Sequence, residues 1–199
     1  MGCREIHIHI LKKYLFLALL FLSFESELFS QAGCDTAGIV KQLAFVFERD
    51  QFVRKSDDSI AYRSMIDSSN LSYVEELIRN YGWPGKSFVG AKGNYTIWLI
   101  IQHADLATQE KYLPLLIQSV ADSESRPVDL AYLQDRIFMR QDKKQVYGTQ
   151  VWMNPKTGLQ EFWPIEDEKN VNIRRKELGM STLEEYAGYF GIEYKLPKE

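Results

Sequence analysis

The sequence predicts a mainly α fold, a single compact multi-helix domain with one β-hairpin in its C-terminal third. Two patterns predict it. From Thr36 to Arg140 apolar residues recur at helical spacing between N-caps, glycines and prolines; from Gln145 that spacing gives way to two aromatic and β-branched runs around a turn. No internal repeat, low-complexity tract or long linker divides the chain beyond its first 32 residues, so one core is expected.

Ile39, Val40, Leu43, Val46 and Phe47 mark an amphipathic helix over Thr36–Lys55, with Asp50 and Arg54 four apart as an ion pair. A second helix is predicted over Ser59–Ser68, and a third from the capping box Ser72-Tyr73-Val74-Glu75 to Gly82. Trp83-Pro84-Gly85 forces a break, because proline disfavours helix in the residue before it, and a loop is expected as far as Gly93. Asn94 reads as the N-cap of Tyr95–His103, whose centre Ile97-Trp98-Leu99-Ile100-Ile101 is apolar all round and therefore central. Asp105 caps Leu106–Ala121, which Pro114 should kink, and Arg126-Pro127 opens Val128–Arg140. Gln145–Met153 and Leu159–Ile165 are predicted to pair across Asn154-Pro155-Lys156-Thr157-Gly158. Two short helices close the chain: Asn172–Leu178, stopped by Gly179, and Thr182–Tyr189, opened by a Ser181 and Glu184 capping box.

The first 32 residues have a different character. Arg4, Lys12 and Lys13 precede the uncharged apolar run Tyr14–Phe24, which Glu25 and Glu27 close off. That run is shorter than the roughly 20 apolar residues a membrane-spanning helix needs, and Ser30-Gln31-Ala32 places small residues where signal peptidase reads. Residues 1–32 are therefore expected to be a cleavable secretory signal. Residues 33–199 are then an exported globular domain, periplasmic or secreted, with no stable membrane span in the mature form. A lipoprotein through Cys34 is the minor alternative, since Ala32-Gly33 precede that cysteine, but Gln31 stands where a lipobox has an apolar residue.

Loss of residues 1–32 removes three basic residues (Arg4, Lys12, Lys13) and three acidic ones (Glu5, Glu25, Glu27), so the net charge stays at -3. Without a basic excess, a nucleic-acid footprint or polybasic membrane patch has no support. Cys3 leaves with the signal and Cys34 is then alone, so neither an intramolecular disulfide nor a thiolate metal cluster can form. Stability must come from the core, which 45% apolar and 13% aromatic residues make feasible. There is no G-x-S-x-G, H-E-x-x-H, P-loop or G-x-G-x-x-G motif, and no cofactor is implied.

His7 and His9 go with the signal, leaving His103 as the sole imidazole of the mature chain. It ends the most apolar helix in Gln102-His103-Ala104-Asp105, where a general base held by a carboxylate would sit. The same residues also suit structure, because a histidine in a last helical turn favours the helix dipole and Asp105 is an ordinary N-cap. Asp135 and Arg136 lie on opposite shoulders of the face formed by Leu130, Leu133 and Ile137, either as a structural ion pair or as a substrate clamp. In Gln145–Gln150, read as a strand, Tyr147 and Thr149 point one way and Gln150 the other, and Gly148 permits close approach to the backbone. His103, Asp105 and Asp135 are an acceptable donor set for a metal, but nothing in their spacing demands one and none is expected.

Five segments in order, Asp50-Gln51-Phe52-Val53-Arg54, Tyr81-Gly82-Trp83-Pro84, Gln102-His103-Ala104-Asp105, Leu133-Gln134-Asp135-Arg136 and Gln145-Val146-Tyr147-Gly148-Thr149-Gln150, resemble the domain-of-unknown-function family catalogued as number 6624. The resemblance covers about Ile39 to Tyr186, and Arg174-Arg175 is similar to a basic motif near the family's end. It implies which positions matter and no activity. The residues it marks for binding are Asp50, Gln51, Arg54, Trp83, Gln102, Tyr147, Gln150, Arg174 and Arg175. His103, Asp105, Asp135 and Arg136 are the catalytic candidates. The expected function is a polar pocket around His103 that takes a small molecule or peptide. One alternative is a hydrolase or transferase with His103 as general base, Asp105 or Asp135 orienting it and Arg136 stabilising negative charge. The other is a non-catalytic structural or partner-binding module.

Overall fold

Helix α1 (Thr36–Lys55) forms where the apolar spacing predicts it, and its buried stripe is Leu43, Val46, Asp50 and Val53. Three of these are aliphatic. The fourth is a carboxylate placed on the core-facing side of the helix by the same 3.6-residue period. The computed structural model describes residues 35–56 and 59–197, and the boundary expected after Ala32 lies outside them. From Ala37 onward the chain is one compact unit.

Helix α2 (Ile60–Tyr81) is continuous where two helices were expected. Ser59 caps it, accepting from the Tyr62 N–H at 3.2 Å. Ser72 is no N-cap: its hydroxyl donates to the Ser68 carbonyl at 2.9 Å, a back-bond that keeps serine inside a helix. Asn70 is buried in mid-helix and accepts from Arg49 Nε of α1 at 2.9 Å. A back-bond within the helix and the Arg49 guanidinium from α1 thus engage part of the polar run that read as a break.

Helix α3 (Lys86–His103) also starts earlier than predicted. Its first turn is held from a distance, by the Lys86 N–H on the Glu124 carbonyl and the Ser87 N–H on the Glu124 carboxylate. Gly90, at φ +73°, then interrupts the helical dihedrals, a conformation that glycine tolerates best. Asn94 does not cap. Its side-chain amide is buried and donates to the Pro84 carbonyl and the Ser125 hydroxyl, both at 2.9 Å. Ile97 to Ile101 are all buried, as their all-round apolarity predicts.

Helix α4 (Leu106–Ala121) is capped by Asp105, and α5 (Pro127–Arg140) opens on its proline. Helices α2, α4 and α5 pack on α3, and α4 packs on α5, around a core that includes Leu43, Val46, Ile97, Ile101, Leu116 and Leu133. The hairpin is shorter than expected. Strand β1 (Val151–Met153) pairs antiparallel with β2 (Gln160–Phe162), with Trp152 opposite Glu161. Residues 145–150 are irregular apart from an isolated bridge between Gln145 and Ile165.

Helices α6 (Val171–Glu177) and α7 (Leu183–Gly188) close the fold. The capping box of α7 is Thr182 and Glu185, one residue beyond the expected pair. Ile165, Val171 and Leu183 form a second, smaller core under Phe162, Tyr186, Tyr194 and Leu196. None of the described helices is long and apolar enough to cross a membrane.

Candidate functional site

Asp50 is fully buried on the α1 stripe, and a lone carboxylate there would be costly, so its partners define the site. His103 Nδ1, at the end of α3, lies 2.9 Å from Asp50 Oδ1. Arg54, one turn on from Asp50, reaches the same Oδ1 with Nη2 at 3.1 Å, and Gln51 Nε2 donates to Oδ2 at 3.0 Å. Arg54 also forks onto Asp67 of α2 through Nη2 at 2.8 Å and Nη1 at 3.3 Å. Burial pushes the Asp50 carboxyl up. The hydrogen bond from His103, the Arg54 guanidinium and the Gln51 amide outweigh it and hold the group below its ordinary value.

The tautomer of His103 follows from these contacts. Arg54 Nε points at Nδ1 from 3.2 Å, and Nδ1 cannot both accept from it and donate to Asp50. A ring lone pair facing a buried carboxylate at 2.9 Å is repulsive, whereas an N–H donating to it is a charge-assisted bond. Nδ1 therefore carries the proton, and Arg54 bonds its two aspartates through Nη1 and Nη2. Nε2 of the neutral ring is left as an acceptor, with no hydrogen-bond partner among the described residues.

His103 and Asp50 line a cavity of about 240 Å³ with Ser64, Asp67 and Ser68 of α2, and with Ala104 and Asp105. The His103 side chain is 23% exposed and Asp50 is closed off at 0%. This is an imidazole at the rim of a cleft whose walls also include Leu71 and Ile100, oriented from behind by a buried carboxylate. The orienting group is Asp50, in place of the expected Asp105 or Asp135. Asp105 is exposed and occupied as the N-cap of α4, accepting from the Thr108 N–H at 2.8 Å.

Asp135 sits elsewhere and does not pair with Arg136. Its Oδ1 accepts from the Val146 N–H at 2.7 Å; Oδ2 accepts from the Thr149 N–H and hydroxyl, both at 3.0 Å. The Tyr147 N–H adds a bond at 3.1 Å. Burial raises the Asp135 carboxyl above its ordinary value, against the opposing pull of these donors. The carbonyls of the same loop are taken as fully: Val146 by Arg174 Nε at 2.9 Å, Tyr147 by Arg175 Nη1 at 2.8 Å and Thr149 by the Tyr186 hydroxyl at 3.1 Å.

Gln145 completes this arrangement. Its amide accepts from the Gln150 N–H at 2.8 Å and donates to the Gln150 carbonyl at 3.0 Å, standing in for a missing strand. Residues 145–150 are thus an irregular loop in which side chains take up many of the backbone groups. Gln150 belongs to it, donating to the Thr149 hydroxyl at 2.8 Å. Tyr147, Gln150, Arg174 and Arg175, expected to bind a ligand, are held in this loop and do not line the His103 cleft.

Trp83 is farther off, beyond the other end of α3, where its indole donates to Ser125 Oγ at 3.1 Å. Gln102 is buried beside His103 but turned from the cleft, with Nε2 on the Tyr132 carbonyl at 3.3 Å. The structure therefore brings Asp50, Gln51, Arg54 and His103 together and adds Asp67, Ser64 and Ser68, which sequence reasoning missed. These three lie within about one turn of α2, and the Asp67 carboxylate carries no local signal because its partner, Arg54, lies on α1.

Fold and site together define a mainly α domain with a carboxylate-held histidine at the rim of a cleft. A profile of the family of unknown function DUF6624 matches residues 37–197, and the chain belongs to that family. No curated protein and no solved structure matches the chain.

Proposed function

We propose that the cleft at His103 binds a small polar molecule or a peptide group, with Nε2 as the hydrogen-bond acceptor that selects it. The observation that carries this is the 2.9 Å contact between Nδ1 and the fully buried Asp50, which fixes ring and tautomer beside a cavity of about 240 Å³. A surface histidine kept for solubility needs no such support. The cavity walls offer hydroxyls from Ser64 and Ser68 and carboxylates from Asp67 and Asp105, so the favoured ligands carry hydroxyl or amide N–H donors.

The same pair favours a second function, acid–base catalysis, because a carboxylate behind an imidazole is the arrangement that stabilises imidazolium as it forms. One experiment serves both. In ¹⁵N-labelled protein the His103 ring nitrogens report on a screen of polar metabolites and short peptides. A saturable shift at Nε2 supports binding, and product formation that tracks the same ligands supports catalysis. A ring that responds to no member of the screen counts against both.

We also infer that the domain works outside the cytoplasm, a proposal supported by the charged n-region, the apolar run Tyr14–Phe24 and Ser30-Gln31-Ala32. Intact-mass measurement of protein from a secreting host should find an N-terminus near Gly33. A chain retaining Met1, or a diacylated Cys34, would contradict it.

A further inference from the structure

We propose a second binding site, beside the first half of α3, that takes a free amino acid with a small apolar side chain. It shares no lining residue with the His103 cleft and does not rest on the function proposed there.

The site is built on Asn94. This residue is 3% exposed, and its Nδ2 spends both hydrogens, on the Pro84 carbonyl and the Ser125 hydroxyl. A carbonyl only accepts, so the amide cannot be turned round, and the atom left over is Oδ1. No described residue donates to it. Nor is Oδ1 one of the sealed, unmatched atoms of the fold, such as Gln102 Oε1 and Gln109 Oε1, so it opens on the space that Asn94 lines. That space is a cavity of about 270 Å³ where the start of α3, the end of α4 and the start of α5 meet. A buried acceptor without a donor is costly, and a ligand N–H relieves it. The floor holds the amide in place. Ser125 Oγ accepts from Asn94 and from the Trp83 indole at 3.1 Å, which uses both lone pairs, so its own proton goes to Ser119 Oγ at 2.7 Å. Trp83 and Pro84 thereby fix Ser125 and Asn94.

The rim of the cavity carries both charges. Glu124 accepts from the Ser87 N–H through Oε2 at 2.8 Å, an approach for which Gly85 makes room, since a Cβ there would run into that oxygen. Its Oε1 bonds no described residue. Arg126 is fixed by Asp129, through Nε at 2.9 Å and Nη2, and by the Tyr95 ring, whose centroid is 4.9 Å from its Cζ. Its Nη1 is left unused, and Lys86 Nζ also bonds no described residue. Ala91, Val120 and Pro127 supply apolar wall. Acceptors on Asn94 and Glu124 suit an ammonium, the two cations suit a carboxylate, and the apolar wall suits a small side chain. A simple anion would leave the acceptors unmatched, and a simple amine would leave the cations so.

The test follows the Asn94 Nδ2 amide of ¹⁵N-labelled protein during titration with L-valine. Isovalerate and isobutylammonium, which are valine without its ammonium and valine without its carboxylate, are titrated separately. The expected result is a saturable shift with valine and affinity at least about tenfold weaker for either fragment. K86Q and E124Q should each weaken valine binding about fivefold, the worth of an exposed ion pair. Both should melt near the wild type, since glutamine at position 124 can still accept from the Ser87 N–H. No saturable shift with valine, a fragment that binds as tightly as valine, or wild-type affinity in both variants would overturn the proposal. The wild-type titrations decide even where a variant fails to fold. A valine shift at the His103 ring in place of the Asn94 amide would put the ligand in the other cleft and overturn it too.

Discussion

Asp50 shows how one residue can belong to core and site at once. Helical period places it with Leu43, Val46 and Val53, and in that company a carboxylate survives only with partners of its own. Its pairing with Arg54 was legible as an i, i+4 spacing; its bond to His103, 53 residues away, was not. The charge balance has a measurable consequence. The folded-state pKa of Asp50 lies below 3.8, so its contribution to stability is present above that pH and is lost as pH falls through the depressed value. Asp50→Asn should lower stability at neutral pH by about 2–3 kcal/mol, since the bond lost is to a charged group. The variant should also lose less further stability than the wild type below pH 3.8, which denaturant titrations at several pH values would show. Equal acid sensitivity in both proteins would mean that the carboxylate is not held by His103 and Arg54.

At the scale of elements, the loop of residues 145–150 is the instructive case. Its aromatic and β-branched composition predicts a strand, and only Val151–Met153 pairs as one. The remainder is held by Asp135 on one side and by Arg174, Arg175 and Tyr186 on the other, long-range partners that no local pattern reveals. Gly148 was legible as a point of close approach, and the structure supplies the reason. It has φ +68°, and a Cβ there would lie 2.8 Å from Leu183 Cδ1. Gly148→Ala should therefore destabilise by about 1–3 kcal/mol, through backbone strain and overpacking against α7. Asp135→Asn should cost on the order of 2–3 kcal/mol, because the amide must turn an N–H toward donors of the loop. Both effects are readable from urea midpoints and should come with faster amide exchange across residues 145–150. Unchanged exchange in Asp135→Asn would show that the loop does not depend on that carboxylate. Helix boundaries divided in the same way. Asp105 caps as its sequence announces, whereas Asn94 is drawn into tertiary bonds and Ser72 into a back-bond within its helix.

For the whole molecule, the mainly α class and the hairpin were legible, because helical period and turn chemistry are local. The family, too, was legible in short motifs, and the structure separates what those motifs do. Asp135, Tyr147, Gln150, Arg174 and Arg175 hold a loop against the second core, and Trp83 ties the start of α3 to Ser125. Gln51, Arg54 and His103 converge on Asp50 beside a cleft that Asp50 and His103 line. Whether that cleft is a binding site turns on one side chain, so the decisive measurement is on His103→Gln. Glutamine fills similar space and can still donate to Asp50, so the melting temperature should stay near that of the wild type. The affinity of a ligand identified at the His103 ring should fall at least about tenfold as the Nε2 acceptor is lost. The opposite pattern, a melting temperature lowered by several degrees with the ligand's affinity unchanged, would contradict the account and make His103 a packing residue.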